Sequence, residues 1–102
     1  MSDLNFFVGQ QVFHRLFRYR GVVYDLDPEF SGTDEWYDQV ARSRPPKDAP
    51  WYHVLVHEAD HTTYVAERNL LPYDGDEYID HPLLPAYFDG FNNGVYRPIK
   101  RN

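Results

Sequence analysis

Pro50-Trp51-Tyr52-His53-Val54-Leu55-Val56 is the densest aromatic and β-branched run in the chain, and its reading decides the fold. At a period of two, Trp51, His53 and Leu55 share one face and Tyr52, Val54 and Val56 share the other. Both faces carry large side chains, so the run predicts a central strand covered on each side. Pro50 stands at its start, where a missing N–H costs least. Two neighbours are suited to pair with it: Arg20-Gly21-Val22-Val23-Tyr24-Asp25-Leu26 before and Thr62-Thr63-Tyr64-Val65-Ala66 after. Trp51, Tyr52, Val54, Val22, Tyr24 and Tyr64 are the expected core.

The rest of the chain surrounds these three strands. Residues 7–14 read as a short strand entered through Gly9, and Arg15 to Tyr19 as a loop or wide hairpin turn. In Arg20–Leu26, Val22, Tyr24 and Leu26 should face one way and Val23 and Asp25 the other. Gly21 suggests a bulge or sharp bend. Asp27-Pro28 ends this strand, because proline donates no ladder bond and restricts its predecessor. Residues 28–49 form a long connection, of a length usually functional or mobile. One helical turn fits there, with Ser31 or Thr33 as N-cap before Asp34 and Glu35, and Trp36 and Tyr37 should pin the loop to the core. Glu67 to Pro72 reads as a tight helical turn with Leu70 and Leu71 tucked in. An acidic loop over 73–82, a short apolar helix over Leu83–Phe91 ended by Gly90 or Gly94, and a basic tail from Arg97 to Asn102 complete the chain.

Short strands, sharp bends and a helical turn predict a mainly β fold, a small strongly bent SH3-like β-barrel with a long middle loop and a short C-terminal helix. One domain is expected, with the barrel in residues 1–72 and an extension over 73–102. Aromatic residues make up 18% of the 102 positions, so a short chain can still bury a large apolar area. There is no cysteine, which excludes disulfides and thiolate metal sites and fits a reducing compartment. The start lacks a signal-peptide pattern and no apolar run reaches the roughly 20 residues of a membrane span. A soluble, cytoplasmic protein is expected.

The formal net charge is −6, unevenly spread. Residues 1–24 hold one acid, Asp3, against Arg15, Arg18 and Arg20, whereas residues 25–50 hold seven acids against three bases. That balance disfavours a general DNA coat and leaves room for a focused contact. The candidates are Arg15, Arg18 and Arg20, interleaved with Phe17 and Tyr19, since guanidinium forks suit phosphates and aromatic rings stack. The same residues also fit a solvated hairpin whose arginines pair with nearby acids, and both readings stand.

His57-Glu58-Ala59-Asp60-His61 matches the zinc-protease pattern H-E-x-x-H letter for letter. That chemistry needs both imidazoles on one helical face with the glutamate beside them. Here the five residues fall between two strand patterns and read as a hairpin turn, so the match is accidental and no metal site is assigned. His14, His53 and His81 read as hydrogen-bonded structural residues. Asp25 and Asp27 fit a strand end better than a catalytic pair. No nucleophile elbow or phosphate loop occurs, so no catalytic residue, enzyme activity or cofactor is expected.

Four ordered blocks carry a family resemblance: Val8-Gly9-Gln10-Gln11-Val12 with His14; Arg20 to Pro28; Pro50-Trp51-Tyr52-His53-Val54-Leu55; and Tyr64-Val65-Ala66-Glu67-Arg68-Asn69-Leu70. Together with His81-Pro82 they resemble the YccV-like family of bacterial hemimethylated-DNA-binding proteins, also described as HspQ heat shock proteins. The resemblance implies a small SH3-like barrel that self-associates as a homo-oligomer and has no catalytic activity. It further implies either a heat-shock regulator of protein quality control, acting with the Lon protease as specificity enhancer or substrate, or a module that recognises hemimethylated duplex DNA. It brings no compact binding motif, so Arg15, Arg18, Arg20 and Tyr19 stand as site candidates on the chemistry of their own stretch.

Overall fold

A computed structural model describes residues 5–41 and 43–100. Met1 to Leu4, Arg42, and Arg101 and Asn102 at the end of the expected basic tail lie outside the described residues. Strands β1 (Gln11–His14), β2 (Arg20–Asp27), β3 (Trp51–Val56) and β4 (Thr62–Ala66) run as an antiparallel meander. A 3-10 turn over Glu67–Asn69 then delivers β5 (Leu70–Pro72) to the far side of β1, giving the order β4-β3-β2-β1-β5. The mainly β class expected from sequence holds. The barrel does not close: among the described residues β4 and β5 remain the two edges of an open, curled sheet.

The bend in β2 comes from a bulge. Val23 faces Val54 and Asp25 faces His53, leaving Tyr24 as the extra residue. Sequence reading placed the irregularity at Gly21. That glycine keeps regular register, and its missing side chain serves close approach instead, because a Cβ there would collide with Val54 and lie 2.6 Å from the Leu55 carbonyl oxygen.

The central strand is covered on both sides as its alternation predicts. Tyr52 and Val54 pack inside the curl with Phe6, Val12, Val23, Val65 and Leu70. On the outer face Leu55 and Val22 meet Ile79, Phe88 and Tyr96. Trp51, further along that face, meets Tyr37, Ala41 and Ala66. Trp51, Tyr52, Val54 and Val22 are fully buried, whereas Tyr24 and Tyr64 are half-buried at the margins of these clusters. Tyr24 is displaced by the bulge, and Tyr64 lies on an edge strand.

Helix α1 (Asp34–Val40) occupies the long connection. Thr33 is its N-cap, accepting from Trp36 N at 3.1 Å, with Asp34 and Glu35 in the first turn where the helix dipole favours acids. Tyr37 is buried and donates to Pro45 O at 2.6 Å, and Trp36 packs on Trp51 and Tyr64, so the pair does pin the loop.

Two C-terminal expectations need correction. The helix over Leu83–Phe91 shrinks to one turn, α2 (Leu84–Tyr87), and strands β6 (Phe88–Asn92) and β7 (Val95–Pro98) form a hairpin. Asn93 and Gly94 both have positive φ, 53° and 83°, the geometry of a tight type I′ turn for which Asn-Gly is the preferred pair. That dipeptide was the signal to weigh above the apolar run. Leu71 also differs: β5 alternates, so Leu70 is buried and Leu71 stands 47% exposed.

Candidate functional site

The tip of the β1–β2 hairpin is built by His14. Its Nδ1 accepts from the backbone N–H groups of Leu16 (3.2 Å) and Phe17 (3.0 Å), and its ring stacks on Phe17 at 4.6 Å. Burial, then the neighbouring Arg15 charge, push its pKa below the ordinary 6.5, which keeps the imidazole neutral and Nδ1 free to accept. Arg18, at φ 60°, completes the turn, and its N–H donates to His14 O at 2.8 Å. The turn pushes Phe17 and Leu16 outward, 74% and 47% exposed.

Tyr19 bridges this tip to β4. Its hydroxyl lies 2.7 Å from Thr63 Oγ1 and its ring packs against the inner core. Burial raises the phenol pKa against the opposing effect of the Thr63 hydrogen bond. The three arginines of the candidate set diverge. Arg20 turns to the opposite side, where it donates to Gln11 Oε1, Glu77 O and Tyr78 O at 2.8–3.2 Å and covers the Tyr73 ring. It ties the 73–80 segment to the sheet. Arg15 donates from Nε to Arg68 O, and Arg18 lies over the Phe13 ring. None of the three makes an ion pair with a carboxylate among the described residues, so the expected pairing with nearby acids is not how the hairpin is held.

Between the tip, the end of α1 and β4 runs an open trough of about 700 Å³. Leu16, Phe17 and Tyr19 form one wall, Trp36 and Val40 the other, and Trp51, Tyr64 and Ala66 the floor. Val40 is 54% exposed. No aspartate or glutamate lines it, although the chain holds 16 acids. Sequence reading missed this feature because its walls come from segments far apart in the chain.

One side of the trough is the free edge of β4. Val56 N donates to His61 O and Glu67 N to Pro50 O, so odd-numbered residues of β4 exchange bonds with β3. The N–H and C=O groups of Thr62 and Tyr64 therefore point away from β3, with no partner among the described residues.

Beside the trough, Asp27 Oδ2 collects three donors: Tyr64 Oη at 2.7 Å, Ser31 Oγ at 2.7 Å and His53 Nε2 at 3.1 Å. Burial pushes this carboxyl upward, but the hydrogen bonds from Tyr64, Ser31 and His53 together outweigh it and leave the pKa below its ordinary 3.8. The network latches the long connection to β3 and β4. The H-E-x-x-H string is the β3–β4 turn, as its context predicts. His57 Nδ1 accepts from Asp80 N, while the His61 carbonyl is 2.9 Å from His81 Nε2. The two imidazoles share no helical face.

A family model described as "Hemimethylated DNA-binding protein YccV like" matches residues 4–95. The chain belongs to this YccV-like family. The match spans the curled sheet, the residues that line the trough and the start of the C-terminal hairpin. The family is named for binding hemimethylated DNA.

Proposed function

We propose that this YccV-like protein is a non-enzymatic regulator of protein quality control, which binds protein segments and alters what the Lon protease degrades. The observation that carries this reading is the trough: exposed apolar side chains gathered at one concave place beside an unpaired strand edge. Such concentrated apolar surface marks protein docking sites. The acidic remainder of the molecule disfavours polyanions over most of its surface. Degradation of purified substrates by Lon, with and without this protein, tests the reading. A changed rate or substrate preference is expected, and unchanged rates at saturating protein overturn it.

The family description favours a second reading, recognition of hemimethylated duplex DNA. A methyl group on adenine lies in the major groove, so discrimination needs an apolar contact beside arginines that position phosphates. Phe17 between Arg15 and Arg18 supplies both kinds of group on one exposed tip. Arg20, tied to backbone carbonyls, serves this reading as a structural residue. Anisotropy against hemimethylated, fully methylated and unmethylated duplexes discriminates: tighter binding to the first, weakened by Arg15→Ala with Arg18→Ala, supports it. Equal weak binding to all three removes it.

A further inference from the structure

We infer that the trough receives an extended peptide, which adds as a strand to the free edge of β4 and seats apolar side chains between Phe17 and Val40. The peptide carries acidic residues beyond the apolar ones. The inference names the ligand of the site used in the quality-control reading and rests on that reading for its biological meaning alone.

Three observations converge. First, the outward N–H and C=O groups of Thr62 and Tyr64 offer a ladder to an incoming backbone. Edges in native sheets are usually guarded by proline, charge or shortness. The other edge, β5, has three residues and ends in Pro72, whereas β4 has none of these guards. Second, the space beside that edge is apolar, with side chains of alternating peptide positions able to meet the Trp51–Tyr64 floor and the Leu16–Phe17 wall. Third, the charge is complementary to an acidic segment. The lining contains no carboxylate, Arg15 and Arg18 flank the wall residues Leu16 and Phe17, and Arg15 contacts Arg68 next to lining residue Asn69. Arg68 in turn donates to the carbonyl of Ser43, another lining residue. The rim is basic on the side where Arg15 meets Arg68, while Asp27, which accepts from Tyr64, lies on the other side, so the acidic end of the peptide is placed against Arg15.

The probe is a fluorescein-labelled peptide of alternating valine and threonine ended by two glutamates, titrated by anisotropy with the full-length protein. Two controls carry lysine in place of glutamate, or N-methyl groups along one backbone edge. The glutamate peptide is expected to bind at least about tenfold more tightly than either control, a difference of about 1.4 kcal/mol. Amide resonances of Thr62 and Tyr64 should shift and exchange more slowly on binding. Thr62→Pro, which removes an outward N–H from an edge, and Phe17→Ser, which removes a 74% exposed wall ring together with its stack on His14, should each weaken binding by a similar factor. Phe17→Ser keeps the test decisive if Thr62→Pro does not fold. Binding indifferent to charge and to backbone methylation overturns the inference. So does a dimer whose β4 amides are already protected by a second copy, or a duplex DNA that shifts these amides when the peptide does not. Peptide binding without any effect on Lon would remove the quality-control reading and keep the trough. An effect on Lon unchanged by Phe17→Ser and Thr62→Pro would do the reverse.

Discussion

Gly9 joins the two ends of the structure at one residue. Its N–H donates to Val23 O at 2.8 Å and its carbonyl accepts from Tyr96 N at 2.9 Å, so β2 and β7 meet through it. Its φ of 101° is strained for any residue with a side chain, and a Cβ would collide with the Tyr96 carbonyl. Gly9→Ala should cost about 1–3 kcal/mol, as overpacking does, with left-handed strain in addition. Urea unfolding followed by tryptophan fluorescence measures it; an unchanged midpoint would show that β7 does not depend on this contact. Asp27 gives a prediction with a pH sign. Its folded pKa is lowered, so its contribution is fully present above the ordinary carboxylate range near 3.8 and is lost as pH falls through the folded value. Asp27→Asn should therefore destabilise by about 1 kcal/mol at neutral pH. The gap from the parent protein should narrow below about pH 4. Thermal melts of both proteins from pH 7 to pH 3 check the convergence.

At the scale of elements, α1 shows a short helix held from outside. Seven residues are too few to be stable alone in water, so packing of Tyr37, Ala41 and Trp36 against Trp51 must supply what propensity does not. The exposed ion pairs Asp34–Lys47 and Asp38–Arg44, both 2.9 Å, add little in open solvent. The cap is worth more: Thr33→Ala should cost about 1 kcal/mol, and Thr33→Gly less. Because α1 forms a wall of the trough, the loss should appear locally, as faster amide exchange over residues 34–41 and a red shift in Trp36 emission. Global unfolding without local loosening would show that helix and sheet form one cooperative unit. The β6–β7 hairpin teaches the opposite lesson. Leu83–Phe91 looks helical by composition, yet only Leu84–Tyr87 keeps the helix, because the Asn93-Gly94 turn and pairing with the outer core draw Phe88 onward into a strand.

Across the whole molecule, tyrosine links burial to alkaline pH. Burial, then the hydrogen bond to Glu67, raise Tyr52 to about 12, and burial shifts Tyr19, Tyr64 and Tyr96 upward too. A raised phenol pKa favours the neutral folded form. The stability it adds is complete below pH 10, the ordinary tyrosine value, and is lost as pH rises toward the folded value. Tyrosinate absorbance should therefore lag behind that of the unfolded chain above pH 10, with unfolding carried by the last groups to ionise. In Tyr52→Phe, stability at pH 7 should fall by about 1 kcal/mol, and its alkaline loss should become shallower. A titration curve identical in native and urea-unfolded protein would contradict the placement of these phenols.

Sequence by itself determined the central strand and its neighbours, since two-sided alternation in Pro50–Val56 has only one burial solution. It also determined the β3–β4 turn and the anchoring of the long connection by Trp36 and Tyr37, both set by local chemistry, and it narrowed the cap to Ser31 or Thr33, of which the structure shows Thr33. The candidate set Arg15, Arg18, Arg20 and Tyr19 could be read from composition, but its division could not. Arg20 begins a strand whose side chain points to the 73–80 segment, and Arg15 and Arg18 stay at the tip. Only tertiary structure decided that division, the open edge at β4 and the trough. Each arises where residues far apart in sequence meet across a curled sheet, and a pattern confined to one stretch carries no term for that meeting.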